Sequence, residues 1–391
     1  MKIVKAEHFH VDGGWDPWSF LKLTTDDGLV GWSEYSEARA RRGLTRVVLD
    51  MQELVIGEDP RDFARITMKL RMLTKSAIGG LQSLAIGAFE NACLDIAAKA
   101  LGVPVYQLFG GALRTRLPVY WSHCGMYRAR YPEIFRDVIG VAPVTTLDDI
   151  RALGAEVARG GYSALKTNLL ALGTGQKPFV QRGRDEFAYN VDGELVAMVV
   201  DQLTAFREGA GPDVGLMMDL NFNYKTEGFK QIAKAVEPLG MTWLEMDTYD
   251  PAALALIRRS TSTPIASLEA LLGIGTLRPF AEAGAVDVGI IDAVFNGLHE
   301  SVRMAALLDA YEINVAAHNS HGPLGSLISA QFCAVIPNFR YLELDVDEVP
   351  WRKSLLTHAA VVENGQYVLP NRPGWGADLN EAVALEHPLK R

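Results

Sequence analysis

The sequence contains few cysteines and no long apolar run, and these two absences exclude several classes of protein. Three cysteines occur among 391 residues, far apart and without CxxC spacing. This argues against a disulfide framework and against a zinc site, so we expect a reducing, cytoplasmic location. No apolar run approaches the roughly 20 residues of a membrane-spanning helix, and the N-terminus alternates like a strand rather than resembling a secretion signal. We therefore expect a soluble protein without a membrane partner.

The sequence also lacks a block of lysine and arginine. Its formal net charge is -9, whereas nucleic acids and anionic membranes select a concentrated basic surface. We therefore expect no nucleic-acid partner and a small-molecule substrate instead. A chain of 391 residues exceeds what one hydrophobic core usually serves, which predicts two domains.

The hydrophobic pattern changes along the chain. Residues 1 to about 35 read as strands with a hairpin turn at Asp27-Gly28, and residues 45–108 have helical periodicity. We assign residues 1–115 to an N-terminal α+β domain. The tail, 355–391, is punctuated by glycine and proline, and we expect it to pack back onto that domain.

Residues 116–354 repeat a strand–helix rhythm, which predicts an α/β fold with a parallel barrel. Two insertions interrupt the rhythm, at 126–147 and at 170–190, and they either help to cover the site or form surface excursions. The eight predicted strands are LPVYWSH, YSALKTN, VGLMMDL, MTWLEMD, TPIASLE, VDVGIID, INVAAHN and RYLELD.

Three acidic residues end successive predicted strands. Asp219 in LMMDLNFN, Glu245 in TWLEMD and Glu269 in IASLEA are 26 and 24 residues apart. One helix plus one strand accounts for each interval, so the carboxylates should meet at the mouth of the barrel. Oxygen ligands without cysteine or histidine select a hard cation such as Mg²⁺. A single acid at a strand end more often caps a helix or faces solvent, but the regular spacing favours a magnesium site.

The next two predicted strands end in a carboxylate and a histidine. Asp292 in GIIDAVFNG and His318 in VAAHNSHG are again 26 residues apart. A carboxylate beside a histidine fixes its tautomer and raises its basicity, which is typical of a general base. His321 is close in the chain, and we favour His318 because it follows the strand directly.

Lys166 and Asn168 end the second predicted strand, in SALKTN. Because strand side chains alternate, these two point to the same face and both can face the site. A lysine at a strand end is usually a surface group, and it becomes a candidate site residue here only as one of several polar strand ends.

These motifs together resemble the enolase superfamily, and within it the mandelate racemase/muconate lactonizing enzyme-like subgroup, over almost the whole chain. The resemblance implies an N-terminal α+β capping domain, completed by the C-terminal tail, over a (β/α)7β barrel. It also implies that Mg²⁺ holds a substrate carboxylate while a base removes the α-proton, and that the metal stabilises the enediolate. The residues that carry the resemblance are Asp219, Glu245, Glu269, Asp292, His318 and, in YLELD, Glu343.

Departures from the family pattern bear on the reaction. The racemase pattern has Lys-x-Lys on the second strand, and its second lysine is Asn168 here. Proton transfer between two faces needs a second base, whereas β-elimination can use one histidine to take the α-proton and protonate the leaving hydroxyl. Lys-x-Asn resembles the second-strand motif of sugar-acid dehydratases such as galactonate dehydratase, although the histidine that those enzymes carry two residues after the first metal acid is Asn221 here. In addition, MDT follows Glu245 in place of Glu-Pro, and SLE replaces Gly-Glu at Glu269.

Further residues receive roles by their positions. Lys166 would support the substrate carboxylate and enediolate electrostatically, and Glu343 would hydrogen-bond that carboxylate, which implies a raised pKa. Trp15 and Trp18 lie in GGWDPW, where the superfamily places a lid over the substrate; exposed aromatics there also suit an oligomer interface. The other candidates for substrate contact are Asn168, Asn221, Asn223, His123 and Ser122.

The sequence therefore predicts a sugar-acid dehydratase that forms a 2-keto-3-deoxy acid, with Mg²⁺ as electrophile and His318 as base. An epimerase, racemase or cycloisomerase is the alternative, in which Lys166 supplies a second base. A non-catalytic barrel that binds a metabolite is the third reading, and the presence of the metal acids together with the Asp292/His318 pair disfavours it. The family resemblance suggests a closed homo-oligomer, a dimer or an octamer.

Overall fold

The N-terminal domain begins with an antiparallel sheet. A computed structural model describes residues 1–77, 79–172 and 189–389 of the chain. The sheet has the order β1-β2-β3, and Gly28 at φ +87 occupies the predicted turn between the second and third strands. A left-handed residue is tolerated there because glycine has no Cβ. The strands are β1 (Ile3–Asp12), β2 (Pro17–Thr25) and β3 (Val30–Tyr35).

Three helices pack against this sheet: α1 (Leu44–Val55), α2 (Phe63–Leu73) and α3 (Gly80–Leu101). Helix α3 is buried on every side from Leu84 to Ala98, because it lies between the sheet and the second domain, and most of these residues are apolar. It ends at Gly102, as the sequence predicts, with φ +68. Short 3₁₀ turns complete the domain at Arg39–Arg41, Pro60–Asp62, Lys75–Ala77 and Val105–Phe109.

Eight parallel strands form a closed barrel, which confirms the predicted fold. Consecutive strands pair in order, and the eighth strand pairs with the first, Glu343 opposite Tyr120, to close the ring. The strands are β4 (Arg116–Ser122), β5 (Ala164–Asn168), β6 (Gly215–Asp219), β7 (Trp243–Glu245), β8 (Ile265–Ser267), β9 (Val288–Ile291), β10 (Asn314–Ala317) and β11 (Phe339–Asp345).

The helices between these strands surround the barrel. A capping box at Thr146 and Asp149 starts the first long one, and Asp250 with Pro251 starts another. The helices are α4 (Met126–Arg130), α5 (Pro132–Ile134), α6 (Leu147–Arg159), α7 (Gly193–Ala210), α8 (Thr226–Ala235), α9 (Pro251–Arg258), α10 (Ile274–Glu282), α11 (Ala293–Asn296), α12 (Leu298–Ala310) and α13 (Pro323–Val335), with a π-helix at Phe135–Ile139 and 3₁₀ turns at Glu237–Leu239 and Pro350–Leu355.

Side-chain alternation fills the barrel interior with one apolar layer and leaves polar groups above it. On each strand, the residue two positions after a member of this layer points the same way and lies nearer the carboxyl end of the barrel. Polar strand ends therefore converge above the layer. Its buried members are Tyr120, Ala164, Met217, Trp243, Ala266, Val288, Ile290 and Ala316.

Two acids of the N-terminal domain accept hydrogen bonds from the first N–H groups of barrel helices. Glu90 on α3 accepts from the backbone N–H of His299 (2.9 Å) and Glu300 (3.4 Å) at the start of α12. Glu34 on β3 accepts from the backbone N–H of Gly322 and, at 2.7 Å, of Gly325 at the start of α13. Carboxylates suit these positions because helix N-termini present unpaired donors and a positive dipole end.

The C-terminal tail contacts both domains. Its hairpin, β12 (Val361–Glu363) and β13 (Gln366–Val368), pairs antiparallel with β4 of the barrel. Further on, Trp375 donates its indole N–H to the carbonyl of Trp32 at 2.9 Å, which ties the tail to the N-terminal sheet. A short helix, α14 (Glu381–Glu386), follows.

The first predicted insertion is largely helical, since α4, α5 and the π-helix occupy 126–139. Trp15 stacks on Tyr127 and Phe135 of this segment, with ring centroids 4.4 and 5.8 Å apart. Trp18 is buried beneath Arg352, so the expectation of an exposed aromatic, on which the oligomer-interface alternative depends, is wrong for Trp18. The second insertion, 170–190, lies mostly outside the described residues.

None of the described helices is long and apolar enough to cross a membrane.

Candidate active site

The three predicted metal acids meet at the mouth of the barrel. Asp219 and Glu245 are the last residues of β6 and β7, and Glu269 lies two residues beyond β8. Each can offer one carboxylate oxygen, and these oxygens all lie within 4.8 Å of one another. The set contains oxygen donors alone, as a hard divalent cation prefers.

Burial makes this carboxylate cluster unfavourable without a cation. It raises the pKa of each of the three acids, and neighbouring carboxylates raise it further, against the opposing charges of Lys166 and His318. Glu245 Oε1 is buried and has no hydrogen-bond partner among the described residues. An unpartnered buried carboxylate oxygen beside two further acids fits a divalent cation such as Mg²⁺.

Lys166 forms a buried ion-pair bridge beside the acids. Its Nζ lies 2.8 Å from Glu245 Oε2 and 3.0 Å from Glu343 Oε1. Burial alone would raise the pKa of Glu343, but the Lys166 charge and the hydroxyl of Ser122, which donates to Oε1, hold it well below its usual range. The expected raised pKa of Glu343 is therefore wrong, because the sequence did not indicate that the ammonium lies so close.

His318 and Asp292 are in contact as the sequence predicts, and a second histidine shares the carboxylate. His318 Nδ1 lies 2.6 Å from Asp292 Oδ2, and His321 Nε2 lies 2.8 Å from the same oxygen. The other oxygen, Oδ1, accepts the backbone N–H groups of Val294 and Phe295 at the start of α11. The two histidines and the start of α11 thus fix Asp292. Burial alone would raise its pKa, but the two histidines hold the pKa well below the usual range.

The second ring nitrogen of His318 faces the metal acids. His318 Nε2 lies 3.4 Å from Glu269 Oε2, and Ser320 Oγ lies 3.3 Å from the same nitrogen. Burial lowers the pKa of His318, but the charges of Glu269 and Asp292 outweigh this and raise it to about 10. A cation bound at Glu269 would remove much of that effect, because bound metal ions are the largest local charges.

The other predicted substrate contacts lie around the same mouth, mostly engaged with the protein. Asn221 donates its backbone N–H and its Nδ2 to the two oxygens of Asp219, at 2.7 and 2.8 Å. Asn168 Nδ2 donates to the backbone carbonyl of Asp219 at 3.3 Å. His123 Nδ1 lies 2.7 Å from Asp345 Oδ1. Asn223 is half-buried in the same loop as Asn221.

Two groups at the site were not predicted from the sequence. Asp247 is buried next to the metal acids; burial and the charge of Glu245 raise its pKa to about 6. Its position two residues after Glu245 was the signal, because strand alternation puts both on one face. Asn319 donates its backbone N–H to Glu343 Oε2 at 2.8 Å. No sequence signal pointed to Asn319, because a backbone donor carries no residue preference.

A (β/α) barrel that gathers three carboxylates, a buried lysine and an Asp–His pair at its carboxyl end is an enzyme site. The chain belongs to the enolase superfamily. Residues 150–383 match the family described as enolase C-terminal domain-like, and residues 14–110 match the N-terminal domain of the mandelate racemase/muconate lactonizing enzyme family.

Individual relatives cover nearly the whole chain. It is 29% identical to the D-xylonate dehydratase of Haloferax volcanii, over 100% of this chain and 89% of that protein. It is 26% identical to the D-gluconate dehydratase of Thermoproteus tenax, over 95% of this chain and 70% of that protein. A solved structure of a proposed L-alanine-DL-glutamate epimerase from Burkholderia xenovorans, bound to magnesium and fumarate, has 40% identity and a TM-score of 0.94, covering 100% of this chain and 96% of that one.

Proposed function

We propose that the protein is a magnesium-dependent dehydratase of acid sugars, which removes the proton next to a carboxylate and the neighbouring hydroxyl to give a 2-keto-3-deoxy acid. One observation carries the proposal. His318 is oriented by Asp292 through Nδ1, and its Nε2 faces the three acids that would hold the cation, whereas Lys166 is tied to two carboxylates. This arrangement supplies one base, which is what elimination needs.

Asp219, Glu245 and Glu269 would hold the cation. When bound, Mg²⁺ would polarise the substrate carboxylate and stabilise the charge that develops as the α-proton leaves. Lys166 adds a fixed positive charge at the same end of the site, 2.8 Å from Glu245.

His318 would carry the proton. With its Nδ1–H donated to Asp292, and with the charge of Glu269 balanced by a bound cation, the lone pair of Nε2 would be available to take the α-proton. The electron pair of the broken C–H bond then expels the β-hydroxyl, and the protonated imidazole donates its proton to that group as the C–O bond breaks. Water and an enol result, and the enol rearranges to the 2-keto acid.

The surroundings of Lys166 favour elimination over proton transfer between two faces. An ammonium with two carboxylate partners is held in its charged form and has no lone pair to accept a proton. Asn168, which occupies the position of the second base, carries an amide that does not titrate. The dehydratase names of the xylonate and gluconate relatives support the same reaction class.

An epimerase is the second candidate, because the solved structure with 40% identity is described as a proposed epimerase. That reaction requires a second base, and Lys166 would have to lose its proton within its two ion pairs. The two candidates therefore differ in whether water is lost.

The test is a screen of acid sugars with Mg²⁺, in which 2-keto-3-deoxy products are trapped as semicarbazones. We expect one group of aldonates or aldarates to give product with the wild type and not with His318→Asn. Exchange of the α-proton in D₂O without any loss of water, for every acid offered, would overturn the dehydratase and favour the epimerase.

A further inference from the structure

The third metal acid does not follow from the alternation of its strand. On β8, Ala266 belongs to the interior layer of the barrel, so alternation directs residue 268 inward and residue 269 outward. Glu269 nevertheless joins Asp219 and Glu245, with carboxylate oxygens within 4.8 Å. The intervening residue, Leu268, has φ +98, and this turn of the backbone brings Glu269 back to the mouth.

A left-handed leucine requires a restraint, because a side chain with a Cβ rarely adopts positive φ. Asp247 supplies one. Its Oδ1 accepts a hydrogen bond from Ser267 Oγ at 2.7 Å and a longer one from the backbone N–H of Leu268 at 3.4 Å. On its own side Asp247 is fixed by its backbone N–H, which donates to the carbonyl of Asn221 at 3.0 Å.

The remaining oxygen of Asp247 indicates that the residue also belongs electrostatically to the metal centre. Oδ2 is buried and has no hydrogen-bond partner in the part of the chain that the structure describes. A buried charge of this kind is costly unless an opposite charge lies close. A cation held by the neighbouring acids would provide that charge.

A glycine adopts positive φ without strain, so a glycine at residue 268 would make this turn without a restraint.

We propose that Asp247 is a positioning residue of the metal centre, which holds the turn at Leu268 and so presents Glu269 to the cation. The inference rests on the metal centre of the proposed function. Its test measures Mg²⁺ binding directly by titration calorimetry on the full-length, metal-free protein, without any substrate.

Asp247→Ala is expected to weaken Mg²⁺ binding about 10- to 100-fold, the range usual for groups that orient a metal ligand. The double variant Asp247→Ala/Leu268→Gly is expected to recover part of this loss, because glycine makes the turn without a restraint. Asp95→Asn is the matched control: it alters another buried acid, on α3 of the N-terminal domain, which accepts backbone N–H groups from Trp32 and Trp375. We expect it to lower the Tm and leave Mg²⁺ affinity unchanged.

Asp247→Asn separates charge from shape, because the amide retains one acceptor oxygen. We expect its Tm to exceed that of the wild type without divalent cations and to rise less when Mg²⁺ is added. The proposal is overturned if Asp247→Ala binds Mg²⁺ within twofold of the wild type, or if Leu268→Gly recovers nothing. If the wild type itself binds no Mg²⁺, the metal centre of the proposed function fails, and this inference fails with it.

Discussion

Lys166 Nζ lies 2.8 Å from Glu245 Oε2, so the ammonium on β5 and a predicted metal ligand on β7 form an ion pair that is almost completely removed from water. Removing one member of a buried pair leaves an uncompensated charge, which is far more costly than losing a surface pair. The site is consequently sensitive to the charge at residue 166 even before any ligand binds.

Lys166→Met is expected to lower the free energy of unfolding by about 3–5 kcal/mol, because Glu245 and Glu343 lose their shared partner. Urea unfolding of the metal-free protein measures this. Lys353→Met, which removes an exposed lysine 3.4 Å from Glu348, is the control and should cost under about 1 kcal/mol. Equal losses in the two variants would contradict the buried bridge.

Asp292→Asn is expected to lower kcat roughly 10³- to 10⁴-fold, since the amide would offer a donor to His318 Nδ1 and favour the wrong tautomer. The backbone N–H groups of Val294 and Phe295 can still be accepted by the amide oxygen, so the fold should persist. Steady-state kinetics on the sugar acid found by the screen, with circular dichroism as the check on folding, measures both. A kcat within tenfold of wild type would argue against His318 as the base.

Removal of divalent cations with EDTA is expected to lower the Tm, because the three acids then repel one another. Readdition of Mg²⁺ at 100 times its Kd should restore about 2.7 kcal/mol of stability. Glu269→Gln keeps the size of the side chain and should abolish most of this gain. A Tm that does not respond to Mg²⁺ in the wild type would count against the metal site.

Glu90→Gln is expected to stabilise the protein increasingly as the pH rises. Burial raises the pKa of Glu90 from 4.5 to about 7, so the unfolded chain ionises first and stability is lost between these two values. The glutamine removes that loss and retains an acceptor for the N–H of His299. The increase in the free energy of unfolding caused by Glu90→Gln should be about 2 kcal/mol larger near pH 8.5 than near pH 5.5.

Urea unfolding at both pH values measures the effect of Glu90→Gln. Glu386→Gln, on the exposed face of α14, is the control and should show no such trend. A gain that is the same at both pH values would show that ionisation of Glu90 is not its cause.

The sequence predicted those features that depend on spacing. The barrel followed from the repeated strand–helix rhythm, and the meeting of Asp219, Glu245 and Glu269 followed from intervals of 26 and 24 residues. The contact between His318 and Asp292 followed in the same way. Such predictions succeed because the carboxyl ends of parallel strands lie at one end of a barrel.

Features that depend on distances within the folded chain were not predicted. The lowered pKa of Glu343 requires the ammonium of Lys166 at 3.0 Å, which no spacing specifies. The turn at Leu268 is equally hidden, because a leucine at positive φ contradicts residue preference. His321 reaches Asp292 only through the fold of the turn that joins it to His318.

The contact of Glu34 with the start of α13 limits how this enzyme can be recombined with its relatives. The loop that carries His318 and His321 ends at N–H groups accepted by a side chain of the other domain. A chimera that joins this barrel to a foreign N-terminal domain must therefore bring an acid to the same position. Without it, the transplanted barrel would retain Asp219, Glu245 and Glu269 yet lose the acceptor at the end of the loop that carries His318.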